Sequence, residues 1–149
     1  MALRLGVIAY CMDARFGMEQ QARQLVERLA ARGVEVVVIT TIAPRDLLKA
    51  RAWTPPPGVK VARLPVTRTP FFETLARTFL ARAGGVSVLY AVHYRCGVHA
   101  ARIARHTGTP VVVKFACSGE HGDFKVMAAL RGREAHALLA TADRFVCIS

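Results

Sequence analysis

Apolar residues in this chain fall into short unbroken blocks, separated by longer stretches in which they recur every three or four positions. The first block, Leu3–Tyr10, is broken only by Arg4 and Gly6, a length and character that predict a strand buried on both faces. From Met18 the positions Met18, Ala22, Leu25, Val26 and Leu29 line one side of a helix, and Gly33 stands where a C-terminal cap glycine belongs. Val34–Thr41 is the next buried strand. Asp46–Gly58, with Trp53 and Pro55-Pro56-Pro57, fits neither a helix nor a sheet interior and is read as a surface excursion. Val59–Val66 is a strand nearer a sheet edge, closed by Pro65, and Pro70–Arg82 is a helix with Phe71, Phe72, Leu75, Phe79 and Leu80 on its apolar side. After Gly84-Gly85 come strand Val86–Val92, helix Gly97–His106 stopped by Gly108, strand Pro110–Ala116, the loop SGEHGDF, helix Lys125–Ala140, and strand Arg144–Ile148. Strands alternating with helices, and apolar in unbroken runs, predict an α/β fold built on a doubly wound parallel sheet of Rossmann-like type. There is no internal repeat or low-complexity segment.

Composition narrows the class. With 149 residues, 53% of them hydrophobic, the chain can build the core of one domain. No apolar run nears the roughly 20 residues of a membrane-spanning helix, and the N-terminus lacks the features of a secretory signal, so a cytoplasmic protein is expected. Cys11, Cys96, Cys117 and Cys147 lie in or beside apolar runs without a CxxC pair, which predicts reduced, buried thiols. The formal charge of +11 arises from singly scattered arginines and only four lysines. Without basic runs or interleaved aromatics, nucleic acid is disfavoured, while peripheral attraction to an anionic membrane surface remains a candidate.

Ligands of an open parallel sheet bind beyond the carboxyl ends of its strands, which selects Cys11–Gly17, Thr40-Thr41, His93–Gly97 and Cys117–Phe124. The first offers Gly17 at a helix start, where backbone N–H groups can face an anion, but GVIAYCMDARFG is not GxGxxG and no GxxxxGK[ST] occurs. A loop-geometry glycine is the plainer alternative, as is a solvated Asp13–Arg15 pair. His93 follows a buried strand and can equally meet a ligand or satisfy a structural hydrogen bond, whereas His99 and His106 are expected to face solvent. SGEHGDF supplies Glu120 and His121 as ligand contacts, with Asp123 a helix cap. Cys11, His93, Cys96, Cys117 and His121 lack the paired spacing of a metal site, and Ser118–His121 lacks a nucleophile elbow, so no metal is expected.

FGMEQQARQLVERLAARGVEVVVIT, then GVKVARLPV, VLYAVHYRCGVHAARIARHTGTPVVVKFACSGEHGDF and ADRFVCIS, resemble in order and spacing the N-terminal domain of the retaining GT-B glycosyltransferases of family 4. That family opens with a GG-x-E loop and a helix carrying L-x-x-x-L-x-x-R-G. The resemblance covers essentially the whole chain. It implies that residues 1–149 are the acceptor-side half of a two-domain enzyme. The missing half would bind the nucleotide-sugar and carry E-x7-E. It further implies that Phe16, Gly17 and Met18 lie against the donor diphosphate, although Phe16 replaces the first glycine. Ser118, Gly119 and Glu120 then belong to the acceptor or donor-sugar side of the cleft, with His93 and His121 on the same rim. No cofactor is implied, the nucleotide-sugar being substrate and no metal being needed. RFVCIS ends on a strand expected to be buried, which reads as a cut chain. Two functions follow: half of a glycosyltransferase, inactive without its C-terminal domain, or a non-catalytic acceptor-binding module or partner subunit. An oxidoreductase is disfavoured because ITTIAP places no ribose-binding acid after the second strand.

Overall fold

Among the described residues six strands form one sheet in the order β3-β2-β1-β4-β5-β6, and every neighbouring pair is parallel. In chain order the elements are β1 (Arg4–Ile8), α1 (Gly17–Ala31), β2 (Glu35–Thr41), β3 (Lys60–Leu64), α2 (Thr69–Arg82), β4 (Val88–Ala91), α3 (Tyr94–Thr107), β5 (Val111–Phe115) and β6 (Arg144–Cys147). This computed structural model describes residues 3–13, 17–42, 53–65, 69–115, 132–135 and 137–147. The predicted doubly wound α/β fold is therefore present.

The unbroken apolar runs mark strands covered on both faces. Val36, Val37, Val38 and Ile39 of β2 are all essentially inaccessible, as are Val7 and Ile8 of β1. β3 is an edge strand, as its alternation predicts. α1 ends in a glycine cap: the Val34 and Gly33 amides donate to the Leu29 and Ala30 carbonyls, and Gly33 takes φ +77°, a conformation costly for any side chain.

Four expectations need correction. α3 starts at Tyr94, three residues before Gly97, because the His93 side chain caps it by accepting from the Arg95 amide. Gly97 is instead a contact glycine, since a Cβ there would lie 2.6 Å from Leu139 and 2.8 Å from Val113. Phe71 is half exposed, so the buried face of α2 is carried by Phe72, Ala76 and Leu80. β6 is exposed throughout rather than buried, being an edge strand paired only with β5 among the described residues, and Cys147 is exposed with it. Cys11 and Cys96 are buried free thiols as expected. Of the predicted helix Lys125–Ala140, residues 132–135 and 137–139 are helical, with Leu138 and Leu139 in the core. No helix of the described residues is long and apolar enough to cross a membrane.

Candidate functional site

The chain order of the strands reverses between β1 and β4, and a crevice opens at such a point beyond the strands' carboxyl ends. Tyr10 leaves β1 there and His93 leaves β4. Their rings stack at 5.2 Å between centroids, 18° from parallel. The backbone of Tyr10 is fixed from the β2 side: the Thr40 hydroxyl donates to its carbonyl at 3.0 Å, the Thr41 hydroxyl donates to the same oxygen, and the Met12 amide donates to Thr40 Oγ1. The two threonines at the end of β2 therefore hold the β1 loop and are not themselves open to a ligand.

His93 is buried, and its Nδ1 accepts the Arg95 amide at 3.0 Å. Accepting there requires a bare lone pair on Nδ1, so the cap demands a neutral ring, with Nε2 3.6 Å from Cys96 Sγ. Burial, with the charges of Arg95 and His99 nearby, lowers the His93 pKa to about 4. Burial and the Glu19 charge push the Cys96 thiol well up, which makes it an inert core group.

Below the stacked pair runs a polar network. The Tyr10 hydroxyl is 3.2 Å from His99 Nε2, His99 Nδ1 is 3.0 Å from Glu73 Oε1, and Arg102 reaches the same carboxylate at 3.3 Å. His99 is 8% exposed and stands against Phe72, which corrects the expectation of a solvent-facing residue. His106 is exposed as expected. With Glu73 accepting from Nδ1–H, Nε2 of a neutral ring is placed to accept from the Tyr10 hydroxyl. His99 and Tyr10 are 89 positions apart, and no spacing signal joins them.

On the other side of the crevice, α1 points its N-terminus at the rim. Gly17 is exposed, and an added Cβ would meet no atom within 4 Å. Among the described residues, then, nothing requires glycine at 17 or fills the space beside the helix start. Met18 is half-buried, and Glu19, the acid of the G-x-E pattern, is buried with Oε2 lacking a hydrogen-bond partner among the described residues. Phe16, Ser118, Gly119, Glu120 and His121 lie outside the described residues, as do Arg15, Cys117 and Asp123.

Asp13 is not half of a solvated pair with Arg15. It is buried, receives both the Nε and Nη2 groups of Arg63 at 3.0 and 3.1 Å, and accepts the Trp53 amide at 2.9 Å. Burial raises its pKa, but the Arg63 and Trp53 hydrogen bonds, with the charges of Arg63 and Arg23, outweigh this and hold the carboxyl below its usual value. Trp53 is in consequence no part of a solvated excursion: its ring is buried and its indole N–H donates to Glu27. Among the described residues no group of three or more His, Cys, Asp or Glu side chains is placed to hold a metal ion.

A parallel sheet in this order, with a helix N-terminus and an aromatic–histidine pair at its switch point, defines a Rossmann-like domain. The solved structures it resembles include sucrose-phosphate synthase from Thermosynechococcus elongatus, with a TM-score of 0.68 at 16% identity over 96% of this chain and 41% of that one. Acinetobacter baumannii MurG gives 0.61 at 14% identity over 97% and 41%. A short-chain dehydrogenase from Streptomyces avermitilis gives 0.51 at 20% identity over 98% and 63%. Such likenesses show the fold alone, and the chain spans less than half the length of the first two. No curated protein matches the chain. Sequence separates these possibilities: residues 16–149 match the glycosyl transferase 4-like domain, and the chain belongs to that family.

Proposed function

We propose that this chain is the acceptor-side half of a nucleotide-sugar-dependent glycosyltransferase that moves a sugar to a hydroxyl acceptor with retention. The observation that carries the reading is the switch-point crevice. On one side stand the stacked rings of Tyr10 and His93, on the other the open start of α1 at Gly17. Amides at a helix N-terminus suit a diphosphate leaving group, whose charge grows as the glycosidic bond breaks. The Tyr10 and His93 rings, with the Tyr10 hydroxyl 3.2 Å from His99, give their side of the crevice a polar aromatic wall that suits a hydroxyl-bearing acceptor. Donor selection and most of the nucleotide contact fall to a second domain, and in this reading the phosphate charge is met by the protein's own N–H groups rather than by a metal.

The test is to express the reading frame continuing past Ser149 and follow transfer from nucleotide-sugars to hydroxyl acceptors, reading product anomers by NMR. Retained configuration with the longer protein, and none with this chain alone, is the expected result. Inversion refutes the stereochemistry. Acceptor binding by this chain, with no transfer from any longer form, favours a non-catalytic acceptor-binding or partner module, a reading motivated by the 41% coverage of the sucrose-phosphate synthase chain.

A further inference from the structure

Among the described residues Lys114 is the one buried lysine, on β5 at 7% exposure. Its neighbours Val113 and Phe115 are core residues, and Gly97 of α3 packs on Val113. Strand alternation therefore sends Lys114 to the opposite face, beneath α1. There its ammonium donates to Gln21 Oε1, and among the described residues no carboxylate lies within ion-pair distance of it. A buried cation answered only by a carboxamide is left short of a counter-charge, and burial lowers its pKa accordingly.

The amine borders a partly open cavity of about 180 Å³ under the first turns of α1. Met18, Leu25 and Val92 give this cavity apolar walls, and Lys114, Gln21 and Tyr90 are its polar lining. All three polar groups can donate. Gln21 uses its oxygen on Lys114 and so offers N–H, and burial raises the Tyr90 pKa, keeping its hydroxyl protonated. Convergent donors in an apolar cavity are the arrangement that fixes a small ligand by one acidic end. At roughly 30 Å³ per water the space matches about six waters, a short organic acid rather than a nucleotide. A doubly charged phosphate would lose more hydration here than one ammonium returns, whereas a carboxylate with an apolar body matches both walls and donors.

We propose that this cavity binds a small organic carboxylate with a short apolar body, ion-paired to Lys114 and hydrogen-bonded by Gln21 and Tyr90. The cavity adjoins the start of α1, and the proposal does not depend on the chain being a glycosyltransferase.

The test titrates the full chain with sodium butyrate, with butyramide as the neutral isostere and with inorganic phosphate, at constant ionic strength. Calorimetry and thermal unfolding read each titration. Butyrate is expected to bind one to one and raise Tm, and butyramide to do neither. Lys114→Met, which keeps the stem and removes the charge, is expected to weaken butyrate binding by about tenfold or more, the worth of one charged hydrogen bond. Equal responses to butyrate and butyramide, or unchanged butyrate affinity in Lys114→Met, overturn the proposal, and preferential binding of phosphate overturns the carboxylate assignment. Should Lys114→Met fail to fold, NMR of the Lys114 ε-methylene in the unaltered chain decides: a shift on adding butyrate supports the site, and none refutes it.

Discussion

Glu73 on α2 and His99 on α3 meet at 3.0 Å, so one carboxylate both ties two helices together and sets the tautomer of a buried imidazole. Removing it strands two donors, His99 Nδ1–H and an Arg102 N–H, in a half-buried place. Glu73→Ala is therefore expected to cost about 1–3 kcal/mol of unfolding free energy, read by urea denaturation. Tyr10→Phe removes only the far end of the network and is expected to cost about 1 kcal/mol. The two should couple through His99 by roughly 0.5 kcal/mol or more in a double-mutant cycle. Strict additivity would mean that the three side chains do not act as one network.

Asp13 and Arg63 give a second, pH-dependent expectation. The aspartate side chain is buried and the arginine one-third exposed, so Arg63→Met strands a buried charge and is expected to destabilise by about 3 kcal/mol at neutral pH. The sign with pH follows from the lowered carboxyl. Its contribution is complete above the ordinary value of 3.8 and is lost as pH falls through the folded pKa below it. Urea titrations at neutral pH and at strongly acid pH should therefore show a large gap between wild type and variant closing with acid. A gap independent of pH would assign the cost to lost packing of the arginine stem.

How much of this was legible in the sequence depended on where each signal resides. The runs in β1, β2 and β5 showed strands covered on both faces because burial on both sides leaves no room for polar positions, and Gly33 and Gly108 announced helix ends because each needs a left-handed backbone. The start of α3 was hidden. Its cap is a histidine rather than a serine, threonine or aspartate, and Gly97, placed by the sequence at the helix start, sits inside the helix for close packing. The rim was found in outline, since strand ends can be located from the apolar runs. Its working contacts were not, because Tyr10–His99, Glu73–His99 and Asp13–Arg63 join residues 89, 26 and 50 positions apart. Only topology brings such residues together.

His93 predicts a pH response in another range. Its folded pKa of about 4 lies below the ordinary 6.5, so between these values the unfolded chain binds a proton that the fold refuses. Stability should consequently fall as pH drops from 6.5 towards 4, by at most about 3 kcal/mol, and level off below. His93→Asn keeps a capping acceptor for the Arg95 amide and has nothing to titrate, so its stability should be flatter across that window. Parallel wild-type and variant curves from chemical denaturation would place the acid sensitivity elsewhere.

Gly97 offers the sharpest test of how α3 lies on the sheet. Alanine in a helix interior ordinarily stabilises by roughly 0.5–1 kcal/mol relative to glycine. Here its methyl would stand 2.6 Å from Leu139 Cδ2 and 2.8 Å from Val113 Cγ1, inside van der Waals contact with two core side chains. The leucine terminus can rotate away, but Val113 is β-branched, fully buried and held in β5, so it yields only with its strand. Overpacking of this kind costs about 1–3 kcal/mol, which exceeds the helical gain. Gly97→Ala should therefore lower Tm, and pairing it with Val113→Ala, which clears the space, should recover part of the loss relative to Val113→Ala alone. A stabilised single variant would show that α3 sits farther from β5 than these distances indicate.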